Sequence, residues 1–216
     1  TISILCGLSF IELLYPNAKN LNNQLYQLSI LITAFLVAIK YYFGPDIAIY
    51  VPMYENIKPL KELLFTPNTS DYEIGFLIYI SICKHWLRLS FWAMTASITI
   101  IYFTTLHSLL RKLTAFKTFA LFSIIFLQTN LIFFEFRQCL AVSFFIISIL
   151  SIEKKQYVTL LIFAFLSIIT HKSAIIIYGI SLIGLIISYF KQDNNFFAIS
   201  ILFLFAFILI QIGRAH

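Results

Sequence analysis

Long apolar blocks separated by short polar breaks run along this chain, as in Leu28–Ala38 and Ile199–Ile210. Blocks of that length, without the strict alternation of a barrel strand, predict membrane-embedded helices. Eight spans are expected: Ile2–Leu14, Leu25–Phe43, Leu89–Leu110, Thr118–Phe134, Gln138–Ile152, Tyr157–Thr170, Ser173–Phe190 and Phe196–Ile212. A straight crossing needs roughly 20 residues, so the first, fifth and sixth are short. The expected fold is therefore an all-α polytopic transmembrane bundle, a single domain over residues 1–216.

One connection departs from the pattern. Gly44–Asp71 carries Pro45, Pro52, Pro59 and Pro67 together with Asp46, Glu55, Glu62 and Asp71. It reads as an aqueous loop, with a short amphipathic helix near Tyr54–Leu64. The apolar stretch that follows, Ile74–Cys83, is too short to cross and is expected to be re-entrant or interfacial. Residues 44–88 then form one extracytoplasmic loop region. With that parity Lys19, Arg111, Lys112, Lys117, Lys154, Lys155 and Lys191 share one face. Lys40, Lys58, Lys61, Lys84, Arg88, Arg137 and Lys172 share the other, with most of the acids. The tight clusters Arg111–Lys117 and Lys154–Lys155 favour the first face as cytoplasmic.

Composition agrees with a lipid environment. The chain is 61% hydrophobic and 11% charged, with too few polar residues to coat a soluble domain. Its net charge of +6 comes from cations scattered singly at block edges, so it is not a nucleic-acid signature. Cys6, Cys83 and Cys139 lie far apart and read as small hydrophobes. Thr1 in place of Met, and the abrupt break at Gly213–His216, are expected of a piece of a longer protein.

Four polar corners interrupt the apolar pattern. Arg137 stands among apolar residues broken only by Glu135 and Gln138. A cation there usually faces a wet cavity or a partner, and its planar fork suits phosphate; the alternative is a helix-end Arg paired with Glu135. Thr170-His171-Lys172-Ser173 could supply a proton acceptor and a cation, or be only a polar turn. Lys40 and Asp46 flank a Gly-Pro break, with Tyr50 and Tyr54 beyond, where interfacial aromatics are ordinary. Asp71 and Glu73 open the short apolar segment as an N-cap or as site carboxylates. All four corners fall on the non-cytoplasmic face. One His with no carboxylate at helical spacing does not make a metal site, and no nucleophile motif such as GxSxG is present.

At these residues the chain resembles the EpsG family, whose members are similar in role to the Wzy polysaccharide polymerases. "NLIFFEFRQCLAVSFFIISILSIEKKQY" resembles the family's RQ-x-LA pattern, and "FAFLSIITHKSAIIIY" its H-x-SA pattern, with His171, Ser173 and Ala174 in place. "GPDIAIYVPMY" and "YEIGF" resemble its G-x-D…Y and E-x-GF segments. Lys40 is the nearest cation where the family usually has Arg, and full family members are longer.

The resemblance implies an enzyme that polymerises undecaprenyl-diphosphate-linked oligosaccharide repeat units, at the outer face of a bacterial plasma membrane, without cofactor, metal or nucleotide sugar. Arg137, His171 and Glu135 are the expected catalytic residues. Arg137 would stabilise the leaving diphosphate and His171 would accept the sugar hydroxyl's proton. Lys172, Lys40, Asp46, Glu73 and Gln138 are the expected substrate-binding residues. The expected partners are the lipid-linked glycan, the bilayer, and flippase and chain-length-regulating proteins, with no nucleic acid. The rival readings are a flippase or transporter of lipid-linked glycans, or another membrane glycan transferase.

Overall fold

The computed structural model describes residues 2–39, 47–65, 72–129, 135–176 and 178–179. Most of these residues are helical, with no strand among them. They fall into two units, Thr1–His171 and Lys172–His216. In the first, α1 (Ile2–Leu14) and α2 (Lys19–Ala38) precede two short helices, α3 (Ile47–Asn56) and α4 (Leu60–Phe65). Then come α5 (Ile74–Ser81), extended by a π-helical turn over Ile82–Trp86, and the long α6 (Phe91–Leu113). The unit continues with α7 (Lys117–Leu127), α8 (Phe136–Glu153) and α9 (Tyr157–Thr170). In the second unit residues 174–176 and 178–179 are helical, and the Lys172 carbonyl accepts from the Ile175 N–H at 3.1 Å.

Two of these helices, Lys19–Ala38 and Phe91–Leu113, are long and apolar enough to cross a membrane, and the other apolar helices are shorter. The span expected over Leu25–Phe43 begins six residues earlier, at Lys19. Backbone hydrogen bonding continues there through Asn20, Asn22, Asn23 and Gln24, which no hydropathy pattern would include. The segment Tyr157–Thr170 has the expected bounds. The helix expected over Gln138–Ile152 starts at Phe136, so Arg137 lies within its first turn. The expected spans Ser173–Phe190 and Phe196–Ile212 lie largely or wholly outside the described residues, as do Lys40 and Asp46.

The single helix expected near Tyr54–Leu64 is instead two, broken at Ile57–Pro59. Proline at 59 disfavours helical geometry in the residue before it, which ends α3 and lets α4 restart. The break is tied down by α5 and its extension. Ser81 Oγ donates to the Lys58 carbonyl at 2.8 Å, and His85 Nε2 lies 2.9 Å from the Ile57 carbonyl.

The segment Ile74–Trp86 is apolar and short, about 20 Å at 1.5 Å per residue, against roughly 30 Å of hydrocarbon. It does not lie loosely on a surface. Phe76 and Ile80 are fully buried, and Tyr79 Oη pairs with Ser97 Oγ of α6 at 2.7 Å. At its start α5 meets α9 almost backbone to backbone. A Cβ on Gly75 would lie 2.7 Å from both the carbonyl carbon and oxygen of Ile169. Only glycine permits that approach.

Helices α8 and α9 form an antiparallel hairpin through a tight turn at Lys155, whose φ is 56°. Ser167 Oγ locks them by donating to the Ala141 carbonyl at 2.9 Å. Helix α6 packs on α8, and α2 packs on α6 and α7. Elsewhere, Glu12 of α1 is buried and accepts the Thr118 and Phe119 N–H groups, at 3.2 and 2.9 Å. Those are orphan donors at the start of α7, where a negative charge is favoured.

Gly75→Ala is expected to lower the thermal midpoint of the detergent-solubilised protein, since α5 and α9 must separate; overpacking of this kind costs about 1–3 kcal/mol. An unchanged midpoint, followed by scanning fluorimetry, would contradict the close approach.

Candidate active site

The approach at Gly75 and Ile169 sets the geometry beyond it. Two residues before Gly75 stands Glu73, the N-cap of α5, in extended conformation with φ −67° and ψ 138°. Two residues after Ile169 stands His171, where α9 has ended and the chain is again extended. Packing the two helix ends together brings these side chains into reach. Arg137, in the first turn of α8, completes the group.

The Glu73 carboxylate is shared. Its Oε2 accepts from Arg137 Nη1 at 2.7 Å, and its Oε1 lies 3.1 Å from His171 Nδ1. Arg137 has two further supports. Its Nε donates to Tyr50 Oη at 3.1 Å, and its guanidinium lies over the Tyr72 ring at 4.8 Å. Tyr50 is itself wedged against Phe76 and Phe136, with ring centroids 5.8 and 5.2 Å away. The order of exposure is informative: the Glu73 side chain is 10% exposed, His171 17% and Arg137 27%. The carboxylate is the innermost group and the guanidinium the most open.

Burial alone would disfavour the ionised Glu73 carboxyl. Its own backbone N–H, the Arg137 guanidinium and His171 outweigh that effect and hold it below the usual carboxylate value. At His171 burial dominates and pushes the imidazole below its ordinary 6.5, with Glu73 pulling up and Arg137 pushing down. The Glu73–His171 contact at neutral pH is therefore a hydrogen bond to a neutral ring, although its length would also suit an ion pair. A carboxylate oxygen only accepts, so the proton sits on Nδ1 and the lone pair on Nε2. That Nε2 is buried, with no hydrogen-bond partner among the described residues. The arrangement places a fixed cation and a neutral imidazole on one carboxylate, with the second imidazole nitrogen unpaired among the described residues.

The EpsG family model matches residues 23–214. The chain belongs to the EpsG family. It is a helical membrane protein of a polysaccharide-related family. Neither curated proteins nor solved structures give a match.

Of the residues expected at the site of this EpsG protein, the structure brings Arg137, His171 and Glu73 together. Glu135 occupies the N-cap of α8, half-buried and without a side-chain capping bond. The expected alternative pairing of Arg137 with Glu135 gives way to Glu73, because α5 delivers that carboxylate directly to the guanidinium. Gln138 is half-buried in the same helical turn as Arg137. Lys172 opens the second unit, while Lys40 and Asp46 are outside the described residues. Tyr50 and Tyr54 are both buried against protein, with Tyr54 Oη donating to the Leu89 carbonyl at 2.8 Å. Tyr72 is the contact that sequence reasoning missed; its place beside Glu73 was the available signal.

Both shifts make the site acid-labile. A histidine depressed below 6.5 stabilises the fold fully above that value and loses its contribution as pH falls into the depressed range. Glu73, depressed below 4.5, does the same lower down. Thermal midpoints measured across pH should therefore fall below about pH 6.5, with His171→Asn removing part of that first loss. An acid limb identical in the variant would contradict a buried neutral His171.

Proposed function

We propose that this EpsG protein polymerises undecaprenyl-diphosphate-linked oligosaccharide repeat units at the outer face of the bacterial plasma membrane. The observation that carries this reading is the pairing of Arg137 and His171 on one carboxylate. Transfer of a glycan from a lipid diphosphate needs positive charge at the leaving group and a proton acceptor at the incoming hydroxyl. The site offers one of each within a few ångströms.

In the proposed reaction Arg137 holds the diphosphate of the growing, lipid-linked chain. A sugar hydroxyl of the next repeat unit gives its proton to His171 Nε2, and its oxygen bonds to the anomeric carbon. The bond from that carbon to the diphosphate oxygen breaks, and the lipid diphosphate leaves with the electron pair. Arg137 meets the negative charge as it develops. Lys172 and Lys40 add positive charge around the diphosphate, Asp46 and Gln138 contact the sugars, and Glu135 is a further carboxylate for hydroxyl orientation. In this reading the chain crosses the membrane eight times, with Ile74–Trp86 entering from the outer face without crossing.

Deleting the gene should remove long surface glycan and leave single repeat units, as read on a gel of extracted polysaccharide. Loss of all surface glycan would instead indicate a flippase and contradict the polymerase. In the rescued strain Arg137→Ala and His171→Ala should each reduce polymerisation by about 100-fold or more. Full activity in either variant, at normal protein level, would contradict its role.

A further inference from the structure

Glu73 faces both groups of the proposed reaction yet is the least exposed of the three. Its two oxygens are divided, one to each partner. The remaining contacts described for Arg137 are a phenol and a ring face, which are neutral. Glu73 is thus the one charged competitor among the described residues for an anion arriving at the guanidinium. A diphosphate carries more negative charge than a carboxylate and matches the same fork, so it competes well for those donors.

We propose that Glu73 is a positioning residue that couples the two halves of the site: diphosphate bound at Arg137 draws the guanidinium away from the carboxylate that Arg137 shares with His171. The proposal rests on the polymerase reading and adds an order of events to it. Charged groups facing His171 come from two directions, Glu73 ahead of α5 and Arg137 on α8. While Arg137 stays on Glu73, its cation lowers the proton affinity of His171. Drawing that cation off and adding an anionic ligand both act in the opposite sense. The imidazole becomes a stronger base when a leaving group is in place, and is a weak one otherwise. Proton transfer is best served by a base whose affinity lies near the operating pH. The device would also restrain the empty site from taking a proton that no reaction uses.

The test is titration of the His171 ring nitrogens by 15N NMR in the full chain in detergent micelles, assigned by difference from His171→Gln. Farnesyl diphosphate is the probe, and its binding is measured separately by calorimetry. Bound probe should raise the His171 midpoint by about one pH unit. Binding without a rise overturns the coupling while leaving Arg137 as a diphosphate ligand. No binding at all overturns both the coupling and the polymerase reading. Glu73→Gln supplies a second arm: with the competitor neutral, the probe should bind several-fold tighter and the rise should be smaller, keeping only the direct effect of the anionic ligand; an equal rise overturns the coupling. Weaker binding in a folded Glu73→Gln protein overturns the competition, since a merely structural carboxylate would give that loss. Should that variant not fold, the wild-type titration decides alone.

Discussion

A single carboxylate, Glu73, organises this end of the protein. It is held at the start of a helix that can approach its neighbour only because residue 75 has no side chain. Without that approach Glu73 and His171 would sit on separate helix ends. Arg137 would then be a cation in apolar surroundings, with Tyr50 and Tyr72 as neutral company. The burial that makes an unpaired charge costly makes the three-way arrangement specific, since the Glu73 carboxylate meets Arg137 and His171 together only in this packing.

The remainder of the first unit serves that geometry. The hairpin of α8 and α9 carries Arg137 at the beginning of one helix and His171 just past the end of the other, so an antiparallel pair returns both to one level. Helix α6 backs the hairpin, and its first residue, Phe91, packs near Phe136 with ring centroids 6.4 Å apart. The short α3 places Tyr50, and the π-helical turn after α5 ties down the break between α3 and α4. Irregular backbone in a lipid-embedded protein is tolerated where protein surrounds it, and Cys83 in that turn is buried.

Much of the helical order was legible in the sequence, because lipid-facing and buried helical positions are both apolar and leave long blocks. The edges were less legible. Lys19–Gln24 is helical although polar, since helix hydrogen bonding does not stop where hydropathy does. Glu12 could not be read at all: a carboxylate in an apolar block looks like an anomaly until the start of α7 supplies its donors. At the site, residue types and a shared face were enough to bring Arg137, His171 and Glu73 into consideration. Which carboxylate served Arg137 was not, because Glu135 is close in sequence and Glu73 is close only in space. Tyr50 shows the same limit, as an aromatic near a helix end reads as interfacial until its ring is seen buried against Phe136.

Glu73 fixes the imidazole of His171 as a neutral ring with its second nitrogen, Nε2, unprotonated. The most direct measurement is the tautomer of that ring at neutral pH, read from the 15N shifts and one-bond N–H couplings of the selectively labelled wild-type protein. A proton on Nδ1 and an unprotonated Nε2 are expected. A proton on Nε2, with Nδ1 bare toward the carboxylate, would contradict this role of Glu73.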